Sequence, residues 1–84
     1  MLFLVDARVV PGADIARHLA EEKREVETLL RQGLIEQLVR RLDEAGAWLI
    51  VNADTAASAK QRLDELPFVR AGIMTMHLSS VERL

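Results

Sequence analysis

Glycine and proline cut this chain into pieces that each suit one strand or one helix. The breaks fall at Pro11-Gly12, Gly33, Gly46, Pro67 and Gly72. Proline lacks the amide donor of a ladder or helix, and glycine loses the most backbone freedom on ordering, so regular elements tend to stop at both. Residues 2–10 (LFLVDARVV) are aliphatic and β-branched and run straight into Pro11-Gly12, which reads as a strand ended by a turn. Asp14 is then placed to cap a helix that runs without Gly or Pro from Ile15 to Gln32, with Gly33 as its stop. Gly46 opens the apolar run Ala47 to Val51, a buried strand closed by Asn52. Asp54 or Thr55 caps a second helix reaching Leu66, where Pro67 ends it. The segment Val69 to Ser79, with Ile73, Met74, Met76 and Leu78, reads as a final strand bent or bulged at Gly72.

Residues 34–44 (LIEQLVRRLDE) resist assignment. Leu34, Leu38 and Leu42 share a parity that a strand can use, but the composition is of good helix formers, and local propensity tips the segment to helix. Elsewhere the chain echoes itself. Ala13-Asp14-Ile15-Ala16 follows the first strand and Ala53-Asp54-Thr55-Ala56 follows the Gly46–Asn52 strand, forty residues on. Strand, capped helix, strand, performed twice, is the plan of a ferredoxin-like α+β sheet, βαββαβ.

With 84 residues there is room for one domain, spanning 1–84. A chain of this size buries only about 60–65% of the surface it exposes when unfolded. Half of this one is hydrophobic, and a second copy is the simplest cover for the surplus. Eleven Lys and Arg against thirteen Asp and Glu give a net charge of −2, with no basic stripe. Only Phe3, Trp48 and Phe68 are available for stacking, so nucleic acid is not an expected partner. The absence of cysteine excludes disulfides and thiolate metal sites, and His18 and His77 lie too far apart for a zinc motif. The apolar start, Met1 to Val5, is broken by Asp6 and Arg8, and no stretch approaches the ~20 apolar residues of a membrane span. The expected compartment is the cytoplasm.

One acid stands out. At about 100° per residue, Ile15, Leu19, Val26, Leu29 and Leu30 form a single apolar stripe on the first helix, and Glu22 falls near its centre. A carboxylate aimed at an apolar interior loses hydration, which raises its pKa toward the range of a general acid or base at neutral pH. His18 lies one turn earlier, at i−4, at the edge of the stripe and within expected reach of Glu22. The competing reading is structural: a Glu near a helix end can reach water or pair locally with His18, and ion pairs of no catalytic role also shift pKa values. The Arg40-Arg41 pair offers one inward guanidinium for an anion, or two solvated side chains. Trp48 reads as core or interface, Met74 and Met76 as packing, and Asp6 with Arg8 as a surface pair or part of a polar sheet face.

Met1-Leu2-Phe3 with Val5, Glu22-Lys23 in the acid-rich helix, Arg31-Gln32-Gly33, Leu38 with Arg40, and Leu63…Leu66-Pro67 together resemble the muconolactone δ-isomerase family, in order and spacing over nearly the whole chain. The resemblance implies a ferredoxin-like sheet in which residues 34–44 form the second strand, and two such sheets packed face to face as a dimeric α/β barrel, with larger assemblies in some members. It implies a proton shift in an unsaturated lactone bearing a carboxylate, without metal or organic cofactor. Glu22 matches an acidic position of the family's first helix, which makes it the expected base, with His18 as partner or acid. Arg40 matches a basic position of the second strand and is the expected carboxylate anchor, with Trp48 as a further substrate contact. Family isomerases carry a His in the first strand and tryptophans in the second, where this chain has Leu4, Ile35 and Val39. Those departures imply a more apolar pocket. Two other functions stay open: cofactor-free oxygenation or cyclisation of a polyketide-like aromatic on the same barrel, and a non-catalytic binding or assembly module.

Overall fold

Residues 1–84 are all described by the computed structural model. β1 (Leu2–Val9) leads through a 3-10 turn (Ala16–His18) into α1 (Leu19–Arg31). β2 (Ile35–Arg40) and β3 (Gly46–Asn52) follow, then α2 (Ala56–Asp64), a short α3 (Pro67–Arg70) and β4 (Met74–Val81). The four strands form one antiparallel sheet in the order β2-β3-β1-β4. This is the ferredoxin-like α+β arrangement. No helix is long and apolar enough to cross a membrane.

Local propensity loses at residues 34–44. Helix preferences differ by only tenths of a kcal/mol per residue. Pairing β2 with β3 buries Ile35 opposite Val51 and supplies the ladder partners that β3 needs on that side. α1 also starts later than the Ile15 boundary read from sequence. Asp14 does accept a backbone hydrogen bond, from Arg17 N–H at 3.4 Å, but the turn it caps is 3-10, and regular α-helix begins at Leu19. Of the two candidate caps for α2, Thr55 serves: its hydroxyl accepts from Ser58 N–H at 3.0 Å, while Ser58 Oγ accepts from Thr55 N–H at 3.2 Å. Pro67 starts a helix as well as ending a chain segment, since the first helical position needs no amide donor. That takes Val69 out of the last strand. Gly72, at φ +73°, turns the chain out of α3 rather than bulging β4.

Strand alternation sorts the sheet into two faces. Phe3, Val5, Ala7, Leu49 and Val51 point toward the helices and close the core with Leu29, Ala59, Leu63 and Leu66. Leu4, Asp6, Arg8, Trp48, Ile50, Thr75 and His77 occupy the other face, away from the helices, and are half-buried or exposed. β2 carries a β-bulge: Ile35 opposes Val51, but Gln37 opposes Ile50, so one strand has an extra residue there. Beyond the bulge, Leu38 faces Leu49 and Arg40 faces Ala47 on the helix side. Gly46 begins β3 at φ +149°, and a Cβ there would stand 2.1 Å from the carbonyl oxygen of Ala7. Only glycine fits.

Candidate functional site

The acid singled out in the apolar stripe is buried. Glu22 is 7% exposed, and its Oε1 accepts the backbone N–H of Phe68 at 2.9 Å. Phe68 lies in the first turn of α3, where amide groups have no partner within the helix, so Glu22 caps α3 from another element. Oε2 takes no hydrogen bond. Because no fully buried side-chain oxygen in the protein lacks a partner, Oε2 reaches accessible space. Burial pushes the Glu22 carboxyl above its ordinary pKa; the Phe68 amide opposes the rise and nearby Glu25 adds to it.

Glu22 lines a cavity of about 460 Å³ at the end of the sheet, on its helix side. Glu22, Arg40, Arg41, Ile15, Phe68 and Met74 line it, with Ala45 of the β2–β3 connection and Gly46 and Ala47 of β3 completing the wall. A larger hollow of about 670 Å³ adjoins it through Val9, Ile15 and Ala45, beneath the Pro11-Gly12 turn. That hollow has Arg8 and Glu44 at its rim but no buried ionisable group, so the smaller cavity is the chemical candidate.

The structure therefore brings Glu22 and Arg40 to one cavity. Arg40 is exposed and enters none of the ion pairs, which leaves its guanidinium available to an anion. His18 is not brought there. It is half-buried at the junction of the 3-10 turn and α1, makes no hydrogen bond to Glu22, and lines none of the cavity. The i−4 relation assumed an α-helical turn where the chain winds more tightly. Trp48 lies on the opposite sheet face, its ring covered by the Arg41 guanidinium at 4.3 Å, and so does not touch the cavity. Leu4, Ile35 and Val39 also lie elsewhere: Ile35 in the core, Leu4 and Val39 on the open face. They do not make the Glu22 cavity more apolar. Its apolar walls are Ile15, Phe68 and Met74, which the sequence marked as stripe, aromatic and packing residues.

Residue types pointed to Asp6 with Arg8 but missed that Arg41 and Asp43 complete a cluster with them behind this cavity. Arg41 bonds Asp43 and Asp6, and Asp6 also holds Arg8. The hydrogen bond from Arg41, outweighing burial, lowers the Asp43 carboxyl to about 2. Asp6 is lowered too, chiefly by its bond from Arg8. Asp6 and Arg41 are 35 residues apart, and nothing local in the sequence joins them.

Two solved structures share this architecture. Muconolactone isomerase superposes with a TM-score of 0.83 at 21% identity, covering 100% of this chain and 91% of the other. The 5-chloro-2-hydroxyhydroquinone dehydrochlorinase of Burkholderia phenoliruptrix AC1100, solved in complex with 2,5-dihydroxybenzoquinone, superposes with a TM-score of 0.82 at 21% identity, covering 98% and 94%. At that identity the likeness concerns the fold. No protein of curated function is significantly similar to the chain in sequence. The sequence profile of the muconolactone delta-isomerase family matches residues 1–83, and the chain belongs to that family.

Proposed function

We propose that this protein shifts a proton within a small unsaturated lactone or related carboxylic acid, without a cofactor, using Glu22 as the base and Arg40 as the carboxylate anchor. The observation that carries the reading is one cavity holding both a buried carboxyl, half-engaged and raised in pKa, and an unpaired guanidinium.

The geometry divides the labour between the two oxygens of Glu22. Phe68 N–H fixes Oε1, so Oε2 is the atom that meets the substrate. It removes a proton from the carbon at the far end of a carbon–carbon double bond conjugated with the lactone carbonyl, and the electron pair left behind delocalises through that double bond onto the carbonyl oxygen as a dienolate. The same carboxyl then returns the proton to the carbon beside the carbonyl. One carbon–hydrogen bond breaks, another forms, and the double bond moves. Arg40 holds the substrate carboxylate so that both carbons stay within reach of Oε2. The raised pKa of Glu22 narrows its gap to a weakly acidic carbon, which eases the first step. His18 has no part in this scheme.

The same reading takes the working form to be a homodimer with the open sheet faces together, in the cytoplasm. Trp48, Ile50 and Leu4 on that face support the first statement, and the lack of cysteine accords with the second.

Muconolactone turnover tests the reaction. Glu22→Gln keeps an acceptor for Phe68 N–H but removes the base, and kcat is expected to fall by about 10²–10⁴ with the circular dichroism spectrum unchanged. Full turnover in that variant would take Glu22 out of the mechanism and leave it as the cap of α3. The apolar walls also suit oxygenation or cyclisation of a polyketide-like aromatic. Oxygen uptake with a polyphenol panel, and none of the lactone chemistry, would favour that alternative.

A further inference from the structure

The proton shift leaves one buried charge unused. The Arg41 side chain is 3% exposed, although it emerges on the sheet face that the helices leave open. Its guanidinium is held from several directions. Nε donates to Asp43 Oδ1 at 3.0 Å, Nη2 to Asp43 Oδ2 at 2.7 Å, and Nη1 to Asp6 Oδ1, while the plane covers the Trp48 ring. Asp6 Oδ2 accepts a second cation, Arg8 Nη2 at 3.0 Å, and Arg8 stands 3.5 Å from Glu44. Three residues of the β2–β3 connection, Arg41, Asp43 and Glu44, are thereby tied to β1. Two backbone bonds reinforce the tie: Arg41 N–H to Gly46 C=O at 3.1 Å, and Val9 N–H to Ala45 C=O at 3.0 Å.

This connection follows Arg40 directly and supplies Ala45 and part of Arg41 itself to the cavity wall, next to Gly46 at the start of β3. Arg40 has no ion-pair partner of its own. The direction of its guanidinium therefore depends on the backbone that carries it, and that backbone is fixed by its neighbour.

We infer that Arg41 is a positioning residue, whose forked grip on Asp43 and bond to Asp6 hold the β2–β3 connection so that Arg40 stands over the Glu22 cavity. The inference rests on the reading of Arg40 as the anchor. Its chemistry requires a guanidinium. The compact ammonium of lysine cannot make the parallel pair of bonds to Asp43 and still reach Asp6 while covering an indole.

The experiment compares Asp43→Asn and Arg41→Lys with Arg40→Met, using muconolactone as substrate and the Arg40 Nε–H heteronuclear NOE as a ligand-free measure of order. Asp43→Asn breaks the grip at a largely exposed carboxylate, so the fold survives if Arg41→Lys does not. The expected result is an ordered Arg40 Nε–H in the parent that becomes mobile in both variants. KM is expected to rise about tenfold or more while kcat changes much less. Combined with Arg40→Met, neither variant is expected to add further to KM. A residue that merely stabilised the fold would lower Tm and leave the Arg40 signal and KM in place. An Arg40 Nε–H as mobile in the parent as in the variants overturns the inference. Absent turnover in a parent whose Arg40 is ordered only while the grip is intact overturns the isomerase reading alone.

Discussion

Keeping Glu22 among Ile15, Phe68 and Met74 has a cost that depends on pH in a known direction. Its folded-state pKa lies above the ordinary 4.5, because burial penalises the charged form. Below about 4.5 both folded and unfolded chains carry the proton, and the residue makes no difference. As pH rises, the unfolded chain gives up its proton first, so stability falls until the folded carboxyl ionises too, and stays lower above that point. Glu22→Gln is therefore expected to match or exceed the parent in Tm near neutral pH, with the difference shrinking toward about pH 4, as thermal melts at the two pH values will show. A lower Tm for the variant near neutrality would mean that the charge on the Phe68 bond outweighs burial. Asp43 has the opposite sign. Its carboxyl is lowered to about 2 by Arg41, so its contribution is full above the ordinary 3.8 and disappears as pH falls toward 2. Acid titration of Asp43→Asn beside the parent should show the two melting curves converging over that interval. Glu22 was legible in the sequence because a helix wheel needs only local spacing. His18 was misplaced by the same tool, since Ala16–His18 is wound as a 3-10 turn.

Among the elements, β3 depends most on a single position. Gly46 starts the strand at a φ that side chains rarely adopt, with its missing Cβ directed at Ala7 C=O. Gly46→Ala must push β1 and β3 apart where Arg8 opposes Gly46, and the expected loss is about 3 kcal/mol or more, read from the urea midpoint. The sequence marked Gly46 as a break but could not show the carbonyl it makes room for. β1, β3, β4, α1 and α2 were readable from apolar runs, caps and breaks, with boundaries off by a few residues. β2 was not, because only Ile35 of its residues is buried and the rest of an edge strand need not announce itself. Its identity as a strand came through the family resemblance, as did the assignment of Arg40 to the site. Arg41 was beyond either route: its partners are set by the β1–β3 register, which is a property of the assembled sheet.

At the scale of the molecule, the sheet has one finished face and one unfinished. Helices cover the first. The second presents Leu4, Trp48 and Ile50, while Val39 and the 96% exposed Leu42 extend the apolar surface along the β2 edge and its connection. Two copies joined through these faces would close a barrel with the Asp6–Arg41–Trp48 cluster inside it. Sedimentation velocity is expected to give a dimer for the parent and a monomer for Ile50→Glu. A monomeric parent at micromolar concentration would count against the barrel. The Glu22 cavity is walled by one chain, on the far side of the sheet, so a folded Ile50→Glu chain is expected to keep Arg40 and Glu22 together.

The extra residue in β2 has a consequence for how this family member can drift. Ile35 and Arg40 are five residues apart, an odd spacing that a regular strand sends to opposite faces; the bulge between Ile35 and Gln37 brings both to the helix side. A chain lacking Glu36 would reach the same result with no bulge, since a spacing of four keeps both ends on one face. A chain of unchanged length that straightened the bulge would instead turn either Ile35 out of the interior or Arg40 away from the cavity, without a single change to the residues that line the site. The match between the length of β2 and its bulge, as much as residue identity, determines whether a related chain still has Arg40 facing Glu22.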